Sequence, residues 1–545
     1  EMQLIPLRES TKALPKSFFE NVLSEWESNF DWEMGGTNRA PKFPMANNYQ
    51  FLLRYSFQYK NSEPSKRREL MDFVELTLKK MASGGIYDHL GGGFSRYSVD
   101  KKWHIPHFEK MLYDNAQLVS LYCDAFLLTK KLQYKKVVTE TLEFVLRELS
   151  DNEGGFFSAL DADSPNQDGI SKEGAFYVWR KNELKEALGE KYDFFAEFYN
   201  INEYGFWEEH NYVLIRNKSL EEVAKQFSLS LHEAENMLQT CKKQLFQLRE
   251  QRPRPGMDNK IITSWNALMI KAFLDAHRVF GEKKYLDIAL KNARFLTENR
   301  MDKNGTLYHS HKPKDKRGNG FLEDYAFTIE AFLNLYENTF DEVWLLRADA
   351  LTQTTFRDYY DKEKGMFYFT SKRDKGLISR TVELQDNVLP ASNSAMAKNL
   401  FKLSRFYGNM EYRDIAQKML LKIWPQAEKY PQAYSNWLDL ALNFEKDFYE
   451  IVLVGKDFLK LKKELDAIYI PNKIIAGSSE ESQLPILADR LIKGKTSIYV
   501  CKNNTCQPPV KKVTEVLKSI KPFSVVIDQT ERPIRKDVLK SIRKP

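Results

Sequence analysis

The sequence predicts a mainly α fold, a six-hairpin α/α toroid followed by a small α/β appendage. Three observations carry this expectation. Helical patterns of 3.6 period come in consecutive pairs with short connections, as antiparallel hairpins require. Loops combining glycine with aromatic and β-favouring residues recur after the second helix of a pair: EGGFFSALDADS (Glu153 to Ser164), NGTLYHSHK (Asn304 to Lys312) and KGMFYFTSK (Lys364 to Lys372). Polar residues collect at the starts of alternate helices, at His107 to Asp114, Ser264-Trp265-Asn266, Glu323-Asp324-Tyr325 and Ser392-Asn393-Ser394. An open solenoid would need a regular consensus and polar capping repeats. A closed ring instead brings these helix starts to one rim around a cavity.

In chain order, helices are expected near Pro15 to Asn29, Met45 to Tyr59, Lys66 to Ser83, His107 to Thr129 and Tyr134 to Leu149. They resume near Ser264 to Phe280, Lys284 to Arg300, Phe321 to Phe340, Val343 to Tyr360, Ser392 to Tyr407, Tyr412 to Trp424 and Pro431 to Phe444. The first helices of successive pairs recur at intervals of about 60–70 residues, the mark of a degenerate internal repeat. One longer gap holds an insertion, about residues 165–252, with helices of its own. Pro15 to Asn29 would pair with Pro431 to Phe444 to complete six hairpins. The toroid then occupies residues 1–446. From 447 to 545, YEIVLVG, NKIIAG and TSIYVCK alternate with helical segments and read as a small α/β region.

The chain has 545 residues, too many for one core to hold everything, and 42% are hydrophobic. No apolar run approaches the roughly 18 residues of a membrane span, so a soluble, cytoplasmic chain without membrane contact is expected. Of the net charge of +7, a surplus of 6 lies between Lys511 and Pro545, where 10 Lys and Arg face 4 acids. A near-neutral body argues against nucleic-acid binding, and the basic tail reads as a solvated helix face. The 4 cysteines make no disulfide scaffold. Cys123 and Cys241 read as buried thiols. Cys501 and Cys506 read as a structural local pair, with a disulfide possible where geometry allows. The chain opens at Glu1 without a signal-peptide pattern, as a fragment would.

Chemistry concentrates in GGIYDHLGGGFSRYSVDKKWHIPHFEKMLYDNAQ, Gly84 to Gln117. A helix starting at Pro106 would put His107, Lys110 and Asp114 on one stripe. An acid, a base and a cation there suggest a polar pocket. Asp161 and Asp163 in SALDADS lie near Glu173. RPRPGMDNKIITSWN sets Arg252, Arg254, Asp258 and Lys260 before Trp265 and Asn266. Sugar pockets need aromatic faces beside polar groups, and this chain has both. Hydrolysis needs two carboxylates flanking the bond, whereas epimerisation or isomerisation needs a base and an acid about one carbon. The expected acid–base residues are His107, Asp114, Asp161, Asp163 and Asp324. The expected substrate contacts are Trp103, His104, Glu109, Lys110, Tyr113, Asp258, Trp265, Asn266, Glu323, Tyr325 and Asn393. The expected ligand is a small sugar or sugar acid. No Walker, dinucleotide-fingerprint, HExxH or GxSxG motif occurs, and neither metal nor cofactor is called for.

GGTNRAPKFP, the Gly84 to Gln117 stretch, GGFFSALDADS, EGAFYVW, RPRPGMDNKIITSWNALMI and FLEDYAF occur in that order between Asp31 and Phe444. Together they resemble the bacterial thioredoxin-domain-containing proteins related to spermatogenesis-associated protein 20, and YVCKNNTCQPPV resembles that family's C-terminal region. The resemblance implies a toroid similar to N-acylglucosamine 2-epimerases and six-hairpin glycosidases, with a pocket at the rim where inner helices begin. It implies Tyr113 as a pocket residue on the inner helix MLYDNAQLVSLYCDA. The family carries a thioredoxin-like domain, absent upstream of Gly35, which makes such a domain a possible partner. Ser95 stands where relatives often have histidine, and DNVLPASNS departs from a more glycine-rich version. The activities implied are sugar epimerisation or isomerisation, glycoside hydrolysis, or sugar or partner binding without catalysis.

Overall fold

A computed structural model describes residues 13–59, 64–166, 169–310, 319–374, 379–503 and 505–520. Its helices are α1 (Phe18–Glu27), α2 (Ala46–Gln58), α3 (Pro64–Ser83), α4 (Leu112–Thr129), α5 (Leu132–Glu148), α6 (Lys181–Leu188), α7 (Tyr192–Phe198), α8 (Leu220–Gln226) and α9 (Leu231–Arg249). They continue with α10 (Thr263–Phe280), α11 (Lys283–Asn299), α12 (Leu322–Thr339), α13 (Glu342–Asp358), α14 (Ser392–Tyr407), α15 (Met410–Lys429), α16 (Ser435–Glu445), α17 (Phe458–Asp466) and α18 (Val513–Ser519).

The inner helices α2, α4, α10, α12, α14 and α16 each pack on the next, and α16 returns to α2. The ring is closed, a six-hairpin α/α toroid. Helices α3, α5, α11, α13 and α15 form the outer layer, each against its inner partner. Inner helices are apolar on most sides because they are covered on most sides; α4 buries 14 of its 18 residues. The sixth outer helix, α1, packs on α15 and on the turn Pro431–Ala433 that leads into α16. Its Trp26 also stacks on Phe51 of α2, with 5.8 Å between ring centroids.

Two helix boundaries correct the sequence reading. His107 and Lys110 lie on short strands, Pro106–His107 and Lys110–Met111, and α4 starts only at Leu112. The expected stripe of His107, Lys110 and Asp114 therefore does not exist, because strand alternation sends these side chains to different surroundings. Helix α15 runs through Pro425 to Lys429 rather than stopping at Trp424.

Helices α6 to α9 gather around a hydrophobic core of their own, built from Trp179, Phe194, Phe195, Leu238 and Leu245. Arg252 fastens this insertion, donating to the carbonyls of Phe176 and Val178 and stacking 4.0 Å from the Trp179 ring. After α16 the strand Tyr449–Val454 pairs parallel with Lys473–Ser478 and antiparallel with Ser497–Lys502, which in turn pairs antiparallel with Thr505–Cys506. Helix α17 of this region packs on the C-terminal ends of inner helices: Phe340, just after α12, meets Phe458, and Lys130, just after α4, donates to the Ala467 carbonyl. Cys501 and Cys506 form a disulfide, and Cys123 and Cys241 are buried thiols. The basic segment from 521 lies outside the described residues.

Candidate active site

One loop design precedes four of the inner helices. Asp88, Asp151, Asp302 and Asp361 each open a turn whose glycine amide (Gly92, Gly154, Gly305, Gly365) donates back to the aspartate carbonyl. Each carboxylate also accepts amides within its own turn. Left-handed φ at these glycines makes the turn possible. At Gly92 a Cβ would also meet the Glu140 carbonyl oxygen at 2.2 Å. The apolar residue that follows is then clamped by a side chain from the next inner helix. Asn115 exchanges two hydrogen bonds with the Phe94 backbone, Asn266 with Phe156, and Asn393 with Phe367. At the fourth loop the Tyr325 hydroxyl accepts from the Leu307 amide. Two residues beyond the clamped position, strand alternation turns a side chain toward the helix starts. These residues are Arg96, Ser158, His309 and Phe369.

The helix starts adjoin. The Tyr113 ring of α4 meets Trp265 of α10 at 4.7 Å. Beside Trp265, the Ser264 amide donates to Asp324 Oδ1 and the Ser264 hydroxyl to Glu323 Oε1. Asp324 is fully buried, accepts the Phe321 amide through Oδ2, and holds His309 Nδ1 at 2.9 Å. Burial, with Asp324 and Glu383 nearby, pushes the Glu323 carboxyl up to about 8. Burial disfavours the His309 imidazolium, but the bond to Asp324 outweighs it and raises the His309 pKa. On the other flank, burial raises Asp114 well above the usual carboxylate range, and its Oδ2 has no hydrogen-bond partner; Arg96 partly offsets the burial. Arg96 donates to Glu109 at 3.0 Å, and His107 bonds Glu173 at 2.7 Å. Gln117 reaches from α4 to the Val388 carbonyl, so the segment before α14 crosses the mouth of the ring. Deeper in the ring the polar lining continues, with Lys271 on Asp275 and Lys398 on Asp439.

The expected site residues thus divide. Tyr113, Asp114, Trp265, Glu323 and Asp324 meet at the rim, with Glu109 joined through Arg96. His107 stands beside Glu109 and Glu173, and Asp163 pairs in register with Glu173. Asp161 lies exposed just after the strand Ala159–Leu160, its amide donating to the Gly256 carbonyl, and Asp258 lies on the partner strand Met257–Asp258 and pairs with Lys260. Six residues expected as substrate contacts have other surroundings. Trp103 is wholly buried, its indole N–H donating to the Met34 carbonyl. His104 is largely buried and its ring faces the backbone of Gly205 in the insertion. Lys110 is buried in an ion pair with Asp88, which Arg249 shares. Asn266, Asn393 and Tyr325 are the loop clamps. Their polar atoms are consumed by backbone, which corrects the reading of them as ligands.

His309 and Arg96 were missed. Their common signal is the shared position two residues past the clamped residue of each glycine loop. His309, Glu323 and Asp324 present donor atoms within 4.8 Å of one another and are, among the described residues, the group able to hold a metal ion. Both Asp324 oxygens already accept backbone N–H bonds, so the donor set fits proton exchange better than ligation.

No protein-family model matches the chain. Among solved structures it is similar to a GH76 α-mannanase of Bacteroides thetaiotaomicron (11% identity, TM-score 0.46, 79% of this chain and 95% of that one). It is similar also to cellobiose 2-epimerase from Bacillus thermoamylovorans (14%, TM-score 0.32, 75% and 98%). In sequence it is 34% identical over 542 residues to human spermatogenesis-associated protein 20, covering 91% of this chain and 68% of that protein. An uncharacterised Caenorhabditis elegans protein is 32% identical over 535 residues, 91% of this chain and 72% of its own. No helix among the described residues is long and apolar enough to cross a membrane. The chain belongs to the spermatogenesis-associated protein 20 family.

Proposed function

We propose that the rim formed by α4, α10 and α12 is an acid–base site for a small sugar or sugar acid, and that its reaction is epimerisation or isomerisation. The observation that carries this is the Glu323–Asp324–His309 cluster, in which burial pushes the Glu323 carboxyl up to about 8 and the bond to Asp324 raises the His309 imidazole. Such a reaction removes a proton beside a carbonyl and returns one, so it needs groups titrating close to the working pH. The titration belongs to the group rather than to one member. Asp324 orients His309 through Nδ1, which leaves Nε2 for substrate. Trp265 and Tyr113 offer ring faces to the sugar, and Arg96 offers a guanidinium to a carboxylate. The segment crossing the mouth at Val388 favours a small ligand over a polysaccharide, and so an isomerase over a glycosidase.

The test is proton exchange. Aldoses, ketoses and hexuronic acids are incubated with the protein in D2O and the C2 proton is followed by NMR. Exchange is expected with at least one sugar, and loss of it in Glu323→Gln and His309→Gln. Saturation transfer without exchange would make the rim a binding site without catalysis. New reducing ends from a disaccharide would make it a hydrolase. Neither binding nor exchange would end the proposal.

A further inference from the structure

On the outer side of the toroid a cavity of about 240 Å³ opens between α5 and the insertion. It shares no residue with the rim. We propose that this cavity binds a small phosphate monoester. Four cations line it: Lys136 of α5, Arg216 and Lys218 from the segment before α8, and Lys242 of α9; Lys218 is taken up by an ion pair with Glu197. Lys242 is paired with Glu140 at 2.9 Å, and the other Glu140 oxygen accepts the Tyr87 hydroxyl at 2.5 Å. That carboxylate is therefore occupied. Arg216 donates one Nη2 bond, to the Ala82 carbonyl, and its buried Nε has no partner. Among the described residues neither Arg216 nor Lys136 forms an ion pair.

The lining acids Glu221 and Glu235 are exposed. Inside, positive groups crowd one another. Burial, then Arg216 and Lys242, hold His89 well below its ordinary range. An entering dianion would relieve this repulsion. A guanidinium fork with two ammonium groups suits the several oxygens of a phosphate better than a single carboxylate. The Phe198 and Tyr199 rings provide a wall for the carbon part. The cavity lies below the roughly 300–1,000 Å³ of drug-sized pockets, which points to an ester of sugar size or smaller.

Isothermal titration of the full chain with glucose 6-phosphate, inorganic phosphate and glucuronate tests this. The ester is expected to bind most tightly, with affinity falling as salt rises. Lys136→Glu, at an exposed position that spares the fold, and Arg216→Ala are each expected to weaken it by at least about tenfold. Melting curves confirm that each variant is folded. Glucuronate binding as tightly as the ester, inorganic phosphate binding alone, no binding, or equal binding by Lys136→Glu would each overturn the proposal.

Discussion

Asn266→Ala removes a wholly buried side chain that makes four hydrogen bonds: with the amide and the carbonyl of Phe156, with the Ile262 carbonyl and with Asn292. Phe156 is itself 3% exposed, so its amide and carbonyl lose their partner where water does not replace it. Each stranded group costs about 1–3 kcal/mol, which gives about 4 kcal/mol for the pair. If the loop opens locally, protection of the Phe156 amide in hydrogen exchange falls by about a thousandfold. The Phe94 and Phe367 amides, held by Asn115 and Asn393, serve as internal controls and should keep their protection. Asn266→Asp retains an acceptor for the Phe156 amide but lacks the two donors, so its loss should be intermediate. A destabilisation under about 1 kcal/mol with unchanged Phe156 exchange would refute the clamp as the device that fixes these loops.

Other perturbations separate the remaining claims. The raised Glu323 pKa means that the folded state binds a proton the unfolded state has released, so this group erodes stability as pH rises from about 4.5 toward about 8. Glu323→Gln should remove that slope and stabilise the protein at pH 8 by ~2–4 kcal/mol in denaturant melts; an unchanged pH profile would contradict the shift. Asp88→Asn leaves Lys110 and Arg249 buried without their carboxylate and should cost about 3–5 kcal/mol by the same assay. The Asp88 pKa is depressed by Arg249 and Lys110 against burial, so its contribution is present above the ordinary carboxylate range and lost as pH falls through the folded value. Reducing the Cys501–Cys506 bond, which spans a sequence separation of only 5, should cost about 2 kcal/mol in the C-terminal sheet and leave exchange in the ring helices unchanged.

The architecture was legible because its causes are local and repeated. Helical period, paired helices and recurrent glycine loops define the hairpins, and the concentration of polar residues at alternate helix starts distinguishes ring from solenoid. The three glycine loops close short β-pairings, at Ser150↔Phe156, Met301↔Leu307 and Tyr360↔Phe367. The site was legible less evenly. Tyr113, Asp114, Trp265, Glu323 and Asp324 follow from their place in the first turn of an inner helix. Asn266, Asn393 and Tyr325 share that place, yet side-chain direction within the turn sends them back to clamp loop backbone.

What residue order by itself determined is the number of hairpins, the inner and outer alternation and the rim on which polar chemistry collects, since each follows from spacing along a helix or a turn. What only the tertiary structure decided is which polar groups are consumed and which remain. Lys110 is paired with Asp88, 22 residues before it, a carboxylate that also binds Arg249 from the far end of the insertion, whereas His309 comes from a loop to meet Asp324. Pairing, burial and proton affinity depend on distances between segments remote in the chain, and periodicity carries no information about those.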